Sequence, residues 1–133
     1  MSPIKVLLVD DEVGFTGALN KVLSSRGFEV KEAKDGLMAL SMIGDEHFDV
    51  VVLDIKMPGM DGNQVFREIS RVKTETRVIV VTGHYSLVGE EDACLKDAYA
   101  YLLKPCPITK LVALIEAAGS KADIGPVTPH KGI

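Results

Sequence analysis

Carboxylate, hydroxyl and ammonium side chains directly follow several short apolar segments of this chain. They are Asp10, Asp11, Glu12, Asp54, Thr82 and Lys104. Clustered carboxylates repel one another unless a cation lies among them, and oxygen ligands without histidine or cysteine favour Mg²⁺ over zinc. One carboxylate of such a set can attack phosphorus to give an aspartyl phosphate, while a lysine and a hydroxyl stabilise the phosphoryl oxygens. These residue types therefore predict Mg²⁺-dependent phosphoryl transfer, provided that the fold brings them together.

Apolar segments alternate with segments of helical period five times along the chain. Strands are predicted at 4–9, 28–33, 49–53, 77–81 and 99–103, and helices after each strand, among them 35–44, 62–72 and 86–96. The apolar face of segment 86–96 is thin, so we expect a loosely held helix there. Such alternation predicts a parallel sheet with helices on both faces. Ligands of such sheets bind at the carboxyl ends of the strands, where the polar residues fall.

Four motifs coincide with these strand ends. They are VLLVDDE at 6–12, VVLDIKMPGMDG at 51–62, VVTGH at 80–84 and YLLKP at 101–105. In this order, over residues 4–118, the chain resembles the receiver domain of response regulators in two-component signalling. The resemblance implies an α/β, flavodoxin-like (βα)5 fold with a doubly wound, five-stranded parallel sheet of strand order 2-1-3-4-5.

The resemblance also implies a role for each acidic residue. Asp54 matches the phosphoacceptor. Asp11 matches a direct ligand of Mg²⁺, for which Mn²⁺ can substitute, and Asp10 matches a residue that acts largely through water. The backbone carbonyl of Lys56 would be a further metal ligand, whereas Glu12 is expected to face solvent.

The remaining matched positions concern the phosphoryl group and the switch. Thr82 and Lys104 match the residues that contact phosphoryl oxygens, and Tyr101 matches the aromatic residue that moves together with Thr82. The resemblance implies a cis peptide bond between Lys104 and Pro105. Cys106, which follows, is expected to be a packing residue rather than a redox switch.

Two variable positions are expected to stand at the lip of the site and to tune the lifetime of the phosphorylated state. Lys56 lies two residues after Asp54, and His84 lies two residues after Thr82. Our hypothesis is that the Lys56 ammonium holds phosphoryl oxygens and slows their hydrolysis. His84 is equally compatible with an ordinary surface position.

By the resemblance, a histidine kinase or a phosphotransfer protein donates the phosphoryl group to Asp54. The surface at 86–118, formed by the predicted helix at 86–96, the fifth strand and the last helix, then changes its affinity for a downstream protein or effector domain, or for a second copy of the chain. Such a receiver promotes its own phosphorylation and dephosphorylation and is not otherwise an enzyme.

Length, net charge and the apolar segments limit the domain organisation, the partners and the location that the sequence predicts. The chain has 133 residues and a formal net charge of −4, which predicts one domain, at 1–119, followed at 120–133 by a flexible tail or the start of a linker. The acidic balance argues against direct nucleic-acid binding and against an anionic membrane surface. Without a long apolar run or a secretory signal at its start, the sequence predicts a cytoplasmic protein.

Four other functions are alternatives to a stand-alone receiver domain. The chain could be the amino-terminal receiver of a larger transcriptional regulator. A Mg²⁺-dependent phosphatase that works through an aspartyl phosphate typically has a second acid two residues after the nucleophile, where this chain has Lys56. A flavin module shares the fold, but the acidic first loop would repel the flavin phosphate. A P-loop nucleotide switch is excluded because its G-x-x-x-x-G-K-[ST] motif is absent from the sequence.

Overall fold

Strands and helices alternate along the part of the chain that the computed structural model describes, which comprises residues 3–55, 62–72, 75–82, 98–120 and 130–131. The strands are β1 (Lys5–Val9), β2 (Glu29–Ala33), β3 (Val50–Asp54), β4 (Arg77–Thr82), β5 (Ala100–Leu103) and β6 (His130–Lys131). The helices are α1 (Val13–Ser25), α2 (Gly36–Asp45), α3 (Gly62–Val72) and α4 (Ile108–Gly119). The helix predicted at 86–96 lies outside the described residues.

All pairs of neighbouring strands are parallel, in the order β2-β1-β3-β4-β5-β6. The first five strands confirm the predicted order 2-1-3-4-5. Every residue of the central strand β3 is buried. The apolar residues at 50–53 predict this burial for a sheet covered on both faces, and Asp54 at the end of the strand is buried with them. β2 lies at an edge, and its residues alternate in exposure. The short β6 pairs with β5 at the other edge.

The hydrophobic core consists of two layers, one on each face of the sheet. Successive residues of a strand point to opposite faces, so Leu7 and Val9 belong to the layer under α2 and α3, whereas Val6 and Leu8 belong to the layer under α1 and α4. Phe48 is among the largest fully buried side chains of the first layer. This arrangement is the doubly wound sheet that the alternation of strands and helices predicts.

Local sequence signals fix the ends of two helices. Asp35 is the N-cap of α2, and its side chain accepts a hydrogen bond from the backbone N–H of Met38 at 2.8 Å. α1 ends just before Gly27, whose φ of 94° lies in the left-handed region that glycine adopts without steric cost. The backbone N–H of Gly27 donates to the carbonyl of Ser24. None of the described helices is long and apolar enough to cross a bilayer.

An ion-pair network centred on Glu46 links the end of α2 to β1 and β2. The Lys5 and Lys31 ammonium groups lie 2.7 and 2.6 Å from its two carboxylate oxygens. Hydrogen bonds from Lys31 and then from Lys5 hold the pKa of Glu46 below its ordinary value. A carboxyl with a lowered pKa in the folded state stabilises the fold above its unfolded pKa of about 4.3, and this contribution is lost as the pH falls through the folded value.

We therefore expect Glu46→Gln to lower the urea midpoint of unfolding modestly at neutral pH, and the difference from the wild type to shrink as the pH falls below about 4. Urea unfolding at neutral and acidic pH measures both midpoints. Glu116→Gln is the control, because it removes one negative charge from a longer ion pair, 3.7 Å, with Arg26. A constant difference between Glu46→Gln and wild type at all pH values would contradict the role given to this network.

Candidate functional site

The carboxyl ends of β1, β3 and β5 position the charged residues of the candidate site. β1 and β3 are neighbours with Val9 opposite Leu53, so the next residues along the two strands, Asp10 and Asp54, also lie side by side. Lys104 follows directly after β5, which is separated from β3 by β4. Its long side chain spans this gap and reaches both aspartates. The order of parallel strands thus brings together residues that are far apart in the sequence.

The Lys104 ammonium lies among three carboxylates. Its Nζ atom is 2.7 Å from Asp10 Oδ2, 2.5 Å from Glu12 Oε1 and 3.5 Å from Asp54 Oδ2. The Lys104 side chain is 13% exposed, and those of Asp10 and Asp54 are 4% and 6% exposed. Buried charges are costly unless they are paired and hydrogen-bonded. This arrangement satisfies that condition for Lys104, Asp10 and Asp54.

The protonation state of Lys104 follows from these neighbours. Burial alone lowers the pKa of Lys104, but the hydrogen bonds to Asp10 and Glu12 and the charge of Asp54 outweigh it and raise the pKa above its ordinary value. Lys104 is therefore a fixed cation at physiological pH. A fixed cation beside an aspartate can neutralise an anionic group that is added to that aspartate.

The same acidic residues fit a hard divalent cation. Carboxylate oxygens of Asp10, Glu12 and Asp54 all lie within 4.8 Å of one another. Three carboxylates against one ammonium leave two uncompensated negative charges when all are ionised. Oxygen donors with this charge suit Mg²⁺, which usually binds one or two carboxylates and keeps several waters. Asp11 follows Asp10 and is exposed, and it does not belong to this group of three.

Residues 6–116 match the family model for the response regulator receiver domain. The chain belongs to this family. It is a receiver domain of a two-component system, and this fold serves in signalling. The acidic residues and the lysine described above lie at the carboxyl edge of its sheet.

Similar proteins from several bacteria support this family. The receiver is 37% identical over 131 residues to response regulator MprA of Mycobacterium sp. (strain KMS), which covers 96% of this chain and 56% of MprA. It is 33% identical over 107 residues to sporulation initiation phosphotransferase F of Bacillus subtilis, covering 80% of this chain and 86% of that protein. The receiver spans only a quarter of the length of regulatory protein AtoC of Escherichia coli.

A solved structure agrees with the fold. The response regulator protein TrrA from Thermotoga maritima, in complex with Mg²⁺-BeF, superposes with a TM-score of 0.77 at 28% identity. The match covers 86% of this chain and 98% of that one. The predicted flavodoxin-like receiver fold is thereby confirmed.

The predicted switch residues lie on the strands next to the site. Tyr101 is a half-buried residue of β5 that packs against the core layer under α2 and α3, and it lies in register with Val80 of β4. Thr82 is the last residue of β4. The Thr82 side chain, Lys56 and His84 lie outside what the structure describes.

The segment after β5 has the geometry that the resemblance implies. The peptide bond between Lys104 and Pro105 is cis. Cys106 is half-buried and packs against the core layer under α1 and α4. Burial raises the pKa of its thiol, which lowers the thiolate fraction and agrees with a packing role.

Sequence reasoning missed the roles of Glu12 and Phe15. Glu12 was expected to face solvent; its side chain is 61% exposed, yet its carboxylate pairs with Lys104. The Phe15 ring lies under the same ammonium, with its centroid 4.6 Å from Nζ, at a distance typical of a cation–π contact. A third acid directly after the Asp10-Asp11 pair is the signal in the sequence that could have indicated the first contact.

Proposed function

We propose that this receiver accepts one phosphoryl group on Asp54 in a Mg²⁺-dependent reaction and thereby changes its affinity for a signalling partner. The observation that carries the proposal is the position of Lys104, whose ammonium lies within 3.5 Å of Asp10, Glu12 and Asp54 at one edge of the sheet. The proposal is supported by the structure of TrrA, a response regulator with a similar fold, which was solved in complex with Mg²⁺-BeF.

In the proposed reaction, an oxygen of the Asp54 carboxylate forms a bond to phosphorus. The bond between phosphorus and the donor's histidine nitrogen breaks, and its electron pair stays on that nitrogen. Lys104 neutralises the phosphoryl oxygens and Thr82 donates a hydrogen bond to them. Because Asp54 is almost fully buried, these electrostatic contacts are stronger than they would be in water.

The proposed ligands of the cation are Asp10, acting largely through water, together with Asp11, Asp54 and the backbone carbonyl of Lys56. When bound, Mg²⁺, or Mn²⁺ in its place, offsets the negative charge of the carboxylates and of the phosphoryl group. The Lys56 side chain is proposed to hold phosphoryl oxygens and to slow their hydrolysis, and His84 to stand at the lip of the site.

The proposed donor is a histidine kinase or a phosphotransfer protein in the cytoplasm. Phosphorylation is proposed to shift an existing equilibrium between two states, in which Thr82 and Tyr101 take different positions. The surface at 86–118 then binds a downstream protein, an effector domain or a second copy of the chain. The half-buried position of Tyr101 on β5 supports its part in this change, because a ring that is partly exposed can turn inward.

A second candidate is that this receiver acts as one part of a larger regulator. It spans 56% of MprA and 25% of AtoC, so in those relatives more than 40% of the protein lies outside the matched region. The site chemistry proposed above is the same in either case. What differs is whether the partner of the 86–118 surface belongs to the same chain.

Intact-mass spectrometry tests the proposal. After incubation with acetyl phosphate and Mg²⁺, the wild-type protein is expected to gain the mass of one phosphoryl group, and Asp54→Asn to gain none. A chelator of divalent cations should abolish the gain. An unmodified wild-type protein, both with acetyl phosphate and with a promiscuous histidine kinase, would contradict the proposed function.

A further inference from the structure

The lysine of the proposed phosphorylation site is more closely engaged by Glu12 than by the phosphoacceptor. Lys104 Nζ lies 2.5 Å from Glu12 and 3.5 Å from Asp54. The contact with Asp10, at 2.7 Å, lies between these two distances. The ammonium is thus held towards the β1–α1 loop, which provides Asp10 and Glu12.

A second contact holds the ammonium on the same side. Phe15 lies in the first turn of α1, and its ring centroid is 4.6 Å from Lys104 Nζ. Glu12 and Phe15 therefore contact one ammonium from neighbouring positions of the chain. The contacts of the ammonium with Glu12 and Phe15 are therefore present in the unphosphorylated form.

The Glu12 carboxylate has no capping task in the helix that it precedes. Glu12 is the N-cap of α1, but its side chain makes no cap hydrogen bond. The backbone carbonyl of Glu12 accepts from the N–H groups of Phe15 and Thr16, both at 3.1 Å. A substitution that changes only the carboxylate therefore leaves the start of α1 intact.

We propose that Glu12 is a positioning residue that competes with the phosphoryl group for Lys104, an inference that rests on the proposed function. A Lys104 ammonium that turns towards phosphoryl oxygens on Asp54 moves away from the Glu12 carboxylate that it contacts in the unphosphorylated form. The Glu12 carboxylate also repels the incoming anion, because it lies within 4.8 Å of the Asp54 carboxylate. Both effects lower the affinity of the site for a phosphoryl group and shorten its lifetime.

The test uses beryllofluoride, a stand-in for the phosphoryl group, on the full chain at saturating Mg²⁺. Isothermal titration calorimetry is expected to show that Glu12→Gln binds it about two- to fivefold more tightly than the wild type, the range expected for a partly exposed ion pair. After removal of acetyl phosphate, phosphorylated Glu12→Gln should lose its phosphoryl group more slowly by a similar factor. Both differences should shrink at high ionic strength.

Two further variants separate positioning from general effects. Glu12→Asp restores the charge and should move the affinity back towards the wild-type value. Glu116→Gln removes one charge from a surface ion pair with Arg26, the residue that follows α1, and it should leave the affinity unchanged. A melting temperature of Glu12→Gln close to that of the wild type checks that the fold is preserved.

Two outcomes overturn the inference. Equal affinities of wild type and Glu12→Gln for beryllofluoride would show that Glu12 does not compete for Lys104. Weaker binding, together with a lower affinity for Mg²⁺ alone, would show that Glu12 is a metal ligand instead. Failure of the wild type itself to bind beryllofluoride or to be phosphorylated would instead contradict the proposed function on which the inference rests.

Discussion

Replacing Lys104 with methionine is expected to slow phosphoryl acceptance from acetyl phosphate by about 10²- to 10³-fold, the cost of removing one preorganised electrostatic contact to a reacting group. Methionine keeps an unbranched side chain but removes the ammonium that lies among Asp10, Glu12 and Asp54. The phosphoryl oxygens then meet three carboxylates without this cation. A time course of intact mass at saturating Mg²⁺ measures the rate.

The same substitution should strengthen the binding of Mg²⁺, although it slows phosphorylation. Without the ammonium, the three clustered carboxylates attract a divalent cation more strongly, so Lys104→Met should bind Mg²⁺ more tightly than the wild type. Lys21→Met removes an exposed lysine of α1 and serves as the control, with both quantities expected to stay at their wild-type values. Phosphorylation of Lys104→Met at the wild-type rate would contradict the role given to the lysine.

Gly62→Ala is expected to destabilise the fold by about 1–3 kcal/mol, the usual cost of overpacking. A Cβ atom at position 62 would lie closer than 3 Å to the backbone of Ile55, including its carbonyl carbon and Cα. Backbone atoms cannot rotate away as a side chain does. Since Ile55 directly follows Asp54, the clash should also displace the phosphoacceptor and slow phosphorylation.

Urea unfolding and the intact-mass time course measure the two effects of Gly62→Ala. The control is Gly17→Ala in the interior of α1, where an added Cβ would meet nothing within 4 Å. Alanine has the higher helix propensity, so this variant should gain up to about 1 kcal/mol of stability. If Gly62→Ala is as stable as Gly17→Ala, the close approach of position 62 to the backbone of Ile55 does not matter energetically.

Much of the fold was predictable because the strands differ so clearly from the segments between them. The unbroken apolar segment of β3 and the helical period of α3 each indicate one element, and the predicted bounds of α3 are the observed ones, Gly62–Val72. β6 was not predicted. Two residues, His130 and Lys131, are too few to show a strand period, and their pairing depends on the exposed edge of β5.

The site, like the fold, could be predicted only in part. Asp10, Asp54 and Lys104 were expected at one edge because parallel strands present their carboxyl ends together, and the structure brings their side chains within hydrogen-bonding or ion-pair distance. The pairing of Glu12 with Lys104 was missed. It depends on the path of the loop before α1 and on a lysine 92 residues further along the chain, neither of which a local pattern encodes.

The position of the phosphoryl group tests the central claim most directly. The phosphorylated wild-type protein is treated with borohydride, which reduces an aspartyl phosphate to homoserine, and the modified residue is located by peptide sequencing in a mass spectrometer. The account predicts homoserine at position 54, formed only when both Mg²⁺ and the phosphoryl donor were present. Reduction at Asp10, Asp11 or Glu12 instead, or a phosphorylated protein with an intact Asp54, would contradict it.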